Sequence, residues 1–224
     1  MVDMRKKLRI SSFMDLAQQI AEDDSESRHY GYDDLIRNND VWILSRMRIG
    51  IVRLPEFKEW TILKTWHERT EGPYFIRKYV LCDNSGNTLM ESESAWAIMN
   101  LENRTVVRPS KYDIPDNAVS SIPGEIPPKV RIPEDSVLIS TTSRSPHYSD
   151  IDYNSHVNNV KYLVWAMDAL GDIPYDRDFS ELVLNFNHEI KPSDSADIEV
   201  HKHDGVFYVH INDDGRQAFI ATFR

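Results

Sequence analysis

Residues 152–170 read DYNSHVNNVKYLVWAMDAL, in which a group of polar side chains is followed at once by an apolar stripe. The apolar residues recur every three or four positions, which is the period of one face of an α-helix. They are Val160, Leu163, Val164, Met167 and Leu170. Gly171 follows at a position that suits the residue after a helix. The stretch therefore predicts an amphipathic helix that begins directly after a polar loop.

Strand-like stretches follow this helix, and the same order of elements recurs in the first half of the chain. The strands predicted in the second half are 137–144, 181–189, 196–203, 206–211 and 218–223. Two of their connections, at Asp204-Gly205 and Asp213-Asp214-Gly215, carry hairpin signals. In the first half a helical stripe is formed by Phe13, Leu16, Ala17, Ile20 and Ala21. The strands predicted after it are 41–52, 60–66, 74–82 and 88–100.

Each half is thus one long helix followed by a run of antiparallel strands. Such a helix buries its apolar stripe best when the sheet curls around it, so the predicted fold class is α+β with two similar units. Six of the eleven prolines fall between residues 109 and 133, a composition typical of an extended linker. We therefore predict a first domain at 1–108, a linker at 109–135 and a second domain at 136–224.

Composition narrows the class of protein. The formal net charge is −10, which disfavours nucleic acid as a partner because phosphate binding usually requires the opposite balance. No run approaches the roughly 18–20 apolar residues of a membrane span, and the start lacks a secretory pattern. A single cysteine, Cys82, excludes an internal disulfide and a cysteine-based zinc site. The expected location is cytoplasmic.

The polar group before the helix has two interpretations. Asp and Asn favour helix starts, where their side chains bond free backbone N–H groups, so this loop could be only a cap. A helix start also offers unpaired donors and a positive dipole end, which suit an oxyanion that develops on an attacked carbonyl. A histidine beside such donors, here His156, can transfer a proton or polarise that carbonyl. The two interpretations are compatible.

Three stretches of the chain resemble one enzyme family. Residues 148–162, YSDIDYNSHVNNVKY, resemble the signature of acyl-acyl carrier protein thioesterases of bacteria and plant plastids, an Asp-x-Asn-x-His-x-Asn-Asn element followed by a lysine and a tyrosine. Residues 41–46, VWILSR, and 94–104, SAWAIMNLENR, are similar to strands of the same family. The resemblance implies a tandem hot-dog fold, in which each domain is a long helix wrapped by a curved antiparallel sheet.

The resemblance also implies the residues of the site. It implies catalytic roles for Asp152, Asn154, His156 and Glu189, the last from the stretch 184–190, LNFNHEI. Substrate binding is assigned to Asn158, Asn159 and Trp42, and the first domain is expected to shape the acyl pocket. Plant members often carry a cysteine after the glutamate. This chain has Ile190 there, which excludes a thiol nucleophile at that position.

Water is therefore the expected nucleophile. Glu189, with Asp152, would orient and deprotonate it, while Asn154 and His156 would position the thioester and stabilise the oxyanion. Strict alternation along the predicted strand 181–189, however, places Glu189 opposite the apolar face of its sheet. That leaves three possibilities: Glu189 in solvent, Glu189 at a site where the domains meet, or a bulge near His188 that changes the phase.

The leading functional prediction is hydrolysis of fatty acyl-acyl carrier protein in lipid metabolism, with no cofactor and no metal. His201 and His203 share one strand face without an evident third ligand, which favours a solvated edge strand. An acyl-coenzyme A thioesterase and a non-catalytic acyl-binding protein are the alternatives on the same scaffold. The expected partner is an acyl carrier protein, and a homodimer is possible. Family members usually begin with a strand before the first helix, and Met1-Val2-Asp3 matches at most its end. Either the translation start has been assigned late, or the first domain lacks this edge strand.

Overall fold

A computed structural model describes residues 1–117 and 125–224. The chain divides into two compact units, Met1–Pro127 and Pro128–Arg224, which are called unit 1 and unit 2 below. The division falls within the proline-rich range 109–135, of which residues 118–124 lie outside the described part.

Unit 1 combines one long helix with an antiparallel sheet in the strand order β2-β3-β4-β1, and β5 pairs with β4. Its elements are α1 (Ile10–Ser27), α2 (Tyr32–Ile36), β1 (Asp40–Ile51), β2 (Thr61–Glu71), β3 (Tyr74–Asp83), β4 (Thr88–Asn100), β5 (Thr105–Val106) and a 3-10 turn at Pro109–Lys111. The α1 stripe is buried at Phe13, Ala17 and Ala21, and the helix packs against β2. The predicted β2 was too short, because the strand continues to Glu71.

Unit 2 repeats this arrangement with the antiparallel order β7-β10-β9-β8-β6. Its elements are β6 (Val137–Arg144), a 3-10 turn at Tyr148–Asp150, α3 (Asn159–Ala169), α4 (Ile173–Asp176), β7 (Glu181–Phe186), β8 (Ala196–His203), β9 (Val206–Asp213) and β10 (Arg216–Phe223). The two predicted hairpins join β8 to β9 and β9 to β10. Their turn residues take positive φ angles, 46° and 76° at Asp204-Gly205, as a tight two-residue turn requires.

Helix α3 forms the centre of unit 2. It packs against β8 and β9, and Leu163, Trp165 and Ala166 have no exposed surface. The buried side is shifted from the predicted stripe, because Tyr162 and Trp165 are enclosed, whereas Val164 and Met167 are only half-buried. The helix ends at Ala169, and Gly171 follows with φ of +62°, the left-handed conformation that glycine adopts without strain. The predicted helix end is therefore confirmed.

One predicted strand was too long, and its end bears on the site. Strand β7 stops at Phe186, three residues before Glu189. Its partner β10 has a register shift against β9 between Gln217 and Phe219, and the carbonyl of Ala218 at this point accepts the N–H groups of both Asn187 (2.9 Å) and His188 (3.2 Å). The pairing of β7 with β10 ends there, with Phe186 opposite Phe219. Strand alternation therefore does not determine the direction of Glu189.

Candidate active site

The polar loop before α3 is a tight turn built on Asp152. Its carboxylate accepts the N–H of Asn154 at 2.9 Å, its carbonyl accepts the N–H of Ser155 at 3.0 Å, and its own N–H donates to the carbonyl of His156 at 3.0 Å. Ser155 takes φ of +65° to complete the reversal. Asp152 thus shapes the loop that presents His156, because three hydrogen bonds of the turn involve it.

The base of this loop is held by a buried carboxylate, that of Asp150, for which no role was predicted. Asp150 is 2% exposed, and one of its oxygens accepts the N–H of His147 at 3.0 Å. Arg144 lies 3.7 Å and Lys161 3.9 Å from its carboxylate oxygens. Its backbone carbonyl accepts the N–H of Asn158 at 2.8 Å. Opposite charges on two sides compensate for the cost of burying this carboxylate.

Asn158 is the N-cap of α3, because its side-chain oxygen accepts the N–H of Val160 at 2.9 Å. Asn159, half-buried, is the first residue of the helix. The cap interpretation therefore holds for Asn158, and the helix start lies directly after the loop that carries His156. Asn154, two residues before that histidine, is exposed.

Glu189 lies beside His156. The N–H of Val157 donates to the carbonyl of Ile190 at 2.9 Å, which ties the two loops together one residue away from each of the two side chains. The Nε2 atom of His156 is 3.6 Å from the Oε2 atom of Glu189, and the side chains are 24% and 35% exposed. The pair is thus reachable from solvent and close enough that a small movement completes a hydrogen bond. A carboxylate and an imidazole in this arrangement can share the proton transfers of a hydrolysis.

Tyr162 contacts the same segment from α3. Its hydroxyl accepts the N–H of Ile190 at 2.9 Å and donates to the carbonyl of His188 at 3.3 Å. Tyr162 lies in the stretch 148–162 that resembles the family signature, but no role was predicted for it. Its one sequence signal was a hydroxyl on the apolar side of a helix, where a partner is required. The side chain of the neighbouring His188 contacts the buried Asp213, with its Nε2 atom 3.3 Å from Oδ2.

Trp42 belongs to unit 1 and is held by the fold there. Its indole N–H donates to the carbonyl of Tyr30 at 2.9 Å, and its ring meets Phe75 edge-on with centroids 5.0 Å apart. It packs against a buried cluster that includes Leu35 and Ile98. The structure thus gives Trp42 a packing role, and its substrate-binding role stays a prediction. The other six predicted site residues lie in unit 2: five within residues 152–159, and the sixth is Glu189.

Two further observations concern metals and membranes. In residues 1–117 and 125–224, no group of three or more His, Cys, Asp or Glu side chains is arranged to hold a metal ion. His201 and His203 instead lie next to carboxylates, at 3.4 Å from Glu199 and 3.3 Å from Asp135. Over the same described ranges, none of the helices has the length and apolar character needed to cross a membrane.

Comparison with protein families and curated proteins gives consistent matches. The model of the acyl-ACP thioesterase N-terminal domain matches residues 1–117, and that of the acyl-ACP thioesterase C-terminal domain matches residues 138–218. An oleoyl-acyl carrier protein thioesterase of Coriandrum sativum is 23% identical over 218 residues, which cover 88% of this chain and 58% of the relative. A palmitoyl-acyl carrier protein thioesterase of Arabidopsis thaliana is 28% identical over 153 residues, with 61% and 35% covered. The chain thus spans less than two thirds of the length of these relatives.

Solved structures show the same fold. An acyl-ACP thioesterase from Bacteroides thetaiotaomicron superposes with a TM-score of 0.82 at 20% identity, covering 99% of this chain and 91% of that one. A 12:0-ACP thioesterase from Umbellularia californica gives a TM-score of 0.84 at 18% identity, with 100% and 92% covered. These likenesses confirm the predicted α+β tandem hot-dog fold.

Proposed function

Because the chain belongs to the acyl-ACP thioesterase family, we propose that it hydrolyses the thioester of a fatty acyl-acyl carrier protein to a free fatty acid and the carrier thiol. The observation that carries the proposal is the pairing of His156 with Glu189 at 3.6 Å, on two loops tied together at the start of α3. A module that only binds an acyl chain has no need of an imidazole and a carboxylate at this place.

In the proposed reaction Glu189 accepts a proton from a water molecule as the water attacks the thioester carbonyl. The negative charge that develops on the carbonyl oxygen is stabilised by His156 and by an amide near the start of α3, where the helix dipole is favourable. Collapse of the tetrahedral intermediate breaks the carbon–sulfur bond, and the departing thiolate takes up the proton. Asp152 supports this chemistry through the turn that places His156, and it helps to orient the water.

The remaining assignments of the site follow from the same proposal. Asn154 and Asn159 border the His156 loop and contact the thioester end of the substrate. Asn158 caps α3 through its side-chain oxygen, which leaves its amide group for the substrate. Unit 1, including Trp42, shapes the pocket for the acyl chain. Unit 2 supplies the chemistry, because it carries the His156–Glu189 pair.

A thiol-release assay with purified protein tests the proposal. Acyl chains of matched length are offered on acyl carrier protein and on coenzyme A, and the free thiol is measured over time. We expect a higher kcat/KM with the carrier protein. Faster release from coenzyme A would replace the proposed substrate by the alternative one. No release from either carrier over a range of chain lengths would refute the proposal and favour an acyl-binding protein.

A further inference from the structure

The segment that carries Glu189 lies outside the regular sheet. The pairing of β7 with β10 ends at the irregularity around Ala218, so Glu189 gets no fixed direction from strand pairing. A carboxylate that removes a proton from water has to be held within a fraction of an ångström of its working position. Other contacts must therefore position the backbone of residues 188–190.

The hydroxyl of Tyr162 bonds the backbone on both sides of Glu189. It accepts the N–H of Ile190 at 2.9 Å and donates to the carbonyl of His188 at 3.3 Å. We propose that Tyr162 is a positioning residue that aligns Glu189 with His156 for hydrolysis. This inference rests on the proposed function. It concerns a residue that does not itself touch the reacting atoms.

The position of this hydroxyl is fixed by the ring that carries it. Tyr162 is 2% exposed, and its ring packs among Trp165, Phe186 and Phe219, with centroid distances between 5.7 and 6.0 Å. Two of these neighbours lie on β7 and β10, the strands whose pairing ends just before Glu189. The aromatic cluster thus transmits the position of α3 and the sheet to the loop.

The protonation state of Tyr162 suits this role. Burial raises the pKa of the Tyr162 phenol well above its usual value, and the nearby charges of Glu189 and Asp152 raise it further, against the hydrogen bond from the N–H of Ile190. The phenol stays protonated over the whole range in which a carboxylate base works, so it can donate and accept at the same time.

The arrangement has a kinetic consequence. Loss of the hydroxyl frees the backbone around Glu189 and leaves the N–H of Ile190, a residue with no exposed surface, without this acceptor. The chemical step then suffers, while binding of the acyl chain does not depend on this contact. A misplacement of about 1 Å costs on the order of 100-fold in rate. We expect Tyr162→Phe to lower kcat by roughly 10- to 100-fold with little change in KM.

The matched control is Tyr79→Phe. Tyr79 is also a buried tyrosine, 1% exposed, and its hydroxyl accepts a hydrogen bond from Ser94 at 3.3 Å in unit 1. Tyr79→Phe therefore removes a comparable hydroxyl without a contact to the Glu189 segment. It should keep wild-type kcat at temperatures where both variants are folded. Equal kcat losses in Tyr162→Phe and Tyr79→Phe would show a general packing effect and overturn the proposal.

A double-mutant cycle separates positioning of Glu189 from other effects of Tyr162. If Tyr162 acts through Glu189, adding Tyr162→Phe to Glu189→Gln should leave the residual rate unchanged, because the base is already lost. A further loss equal to that in the single variant would overturn the proposal, and so would wild-type kcat in Tyr162→Phe. Full activity of Glu189→Gln alone would instead refute the role of Glu189 as general base, whereas no thiol release by the wild-type protein would refute the proposed function.

An NMR measurement tests the alignment without any substrate. The ring signals of His156 report on the carboxylate 3.6 Å away. We expect Tyr162→Phe to move these signals in the same direction as Glu189→Gln does, whereas Tyr79→Phe leaves them in place. Unmoved His156 signals in Tyr162→Phe would contradict the positioning role, whatever the activity of the protein.

Discussion

Asn158 offers a way to separate the stability of the site from its chemistry. Its side-chain oxygen accepts the N–H of Val160 at 2.9 Å, and Val160 is buried at 7% exposure. Asn158→Ala removes this acceptor and leaves the N–H at the start of α3 poorly solvated. Loss of a side-chain cap costs about 1 kcal/mol, within a range of about 0.5–2 kcal/mol. For a chain of this size, about 1 kcal/mol corresponds to a decrease in Tm of about 2–4 °C.

The control is Asn158→Ser, since serine caps a helix as well as asparagine does. Urea unfolding at pH 7, followed by circular dichroism, should give a lower free energy of unfolding for Asn158→Ala and a nearly unchanged one for Asn158→Ser. Neither variant retains the side-chain amide group, so thiol release measured on both shows what this group contributes to activity. If Asn158 binds substrate, Asn158→Ser loses activity despite its stability. Wild-type stability of Asn158→Ala would refute the capping account.

Two other residues give predictions about stability. Burial opposes ionisation of Asp40, but hydrogen bonds from Lys111, Tyr112 and Asn100 outweigh it and hold the pKa of that carboxyl below its usual value. Asp40→Asn should therefore lower the free energy of unfolding by about 1–3 kcal/mol at pH 7. The difference between variant and wild type should shrink as the pH falls below about 4, because the wild-type carboxylate is then protonated. Urea unfolding that gives the same difference at pH 7 and pH 3 would contradict this. Gly171 has φ of +62° and open space around it, so Gly171→Ala meets only backbone strain. It should lower the free energy of unfolding by about 1 kcal/mol, and an unchanged Tm would contradict the helix-end assignment.

The sequence was sufficient for features that depend on neighbouring residues. The stripe from Val160 to Leu170 predicted α3, and Gly171 predicted its end, because both follow from the local period and the backbone preference of glycine. The Asp-Gly pairs predicted both hairpins for the same reason. Each of these signals lies within a few residues of the structure that it specifies.

Features that depend on distant residues were not predicted. Strand β7 ends at Phe186, next to the irregularity of β10 around Ala218, and no signal near Phe186 announces it. Alternation does not apply to Glu189, because β7 stops at Phe186 and not at residue 189 as predicted. Asp150 and Tyr162 were overlooked as site-supporting residues because their roles need partners that come together only in the fold.

The motif residues show that residue type alone does not reveal whether a side chain serves the fold or the function. The sequence marked Asn158 and Trp42 as functional by type and position, and the structure shows that both also serve the fold. A polar atom that already bonds the backbone can still have a second group for a substrate, as the amide of Asn158 does. Residue type alone does not separate the two uses, so variants that remove one group at a time are required.

The most direct test of the central claim compares two glutamates in unit 2 that have similar surroundings. Glu189 and Glu199 have side chains that are each 35% exposed, and their Oε2 atoms lie 3.6 Å and 3.4 Å from the Nε2 atoms of His156 and His201. Thiol release from acyl-acyl carrier protein is measured for Glu189→Gln and Glu199→Gln. Loss of a general base predicts a decrease in kcat of about 10²- to 10⁴-fold for Glu189→Gln and wild-type kcat for Glu199→Gln. Full activity of folded Glu189→Gln would contradict the account.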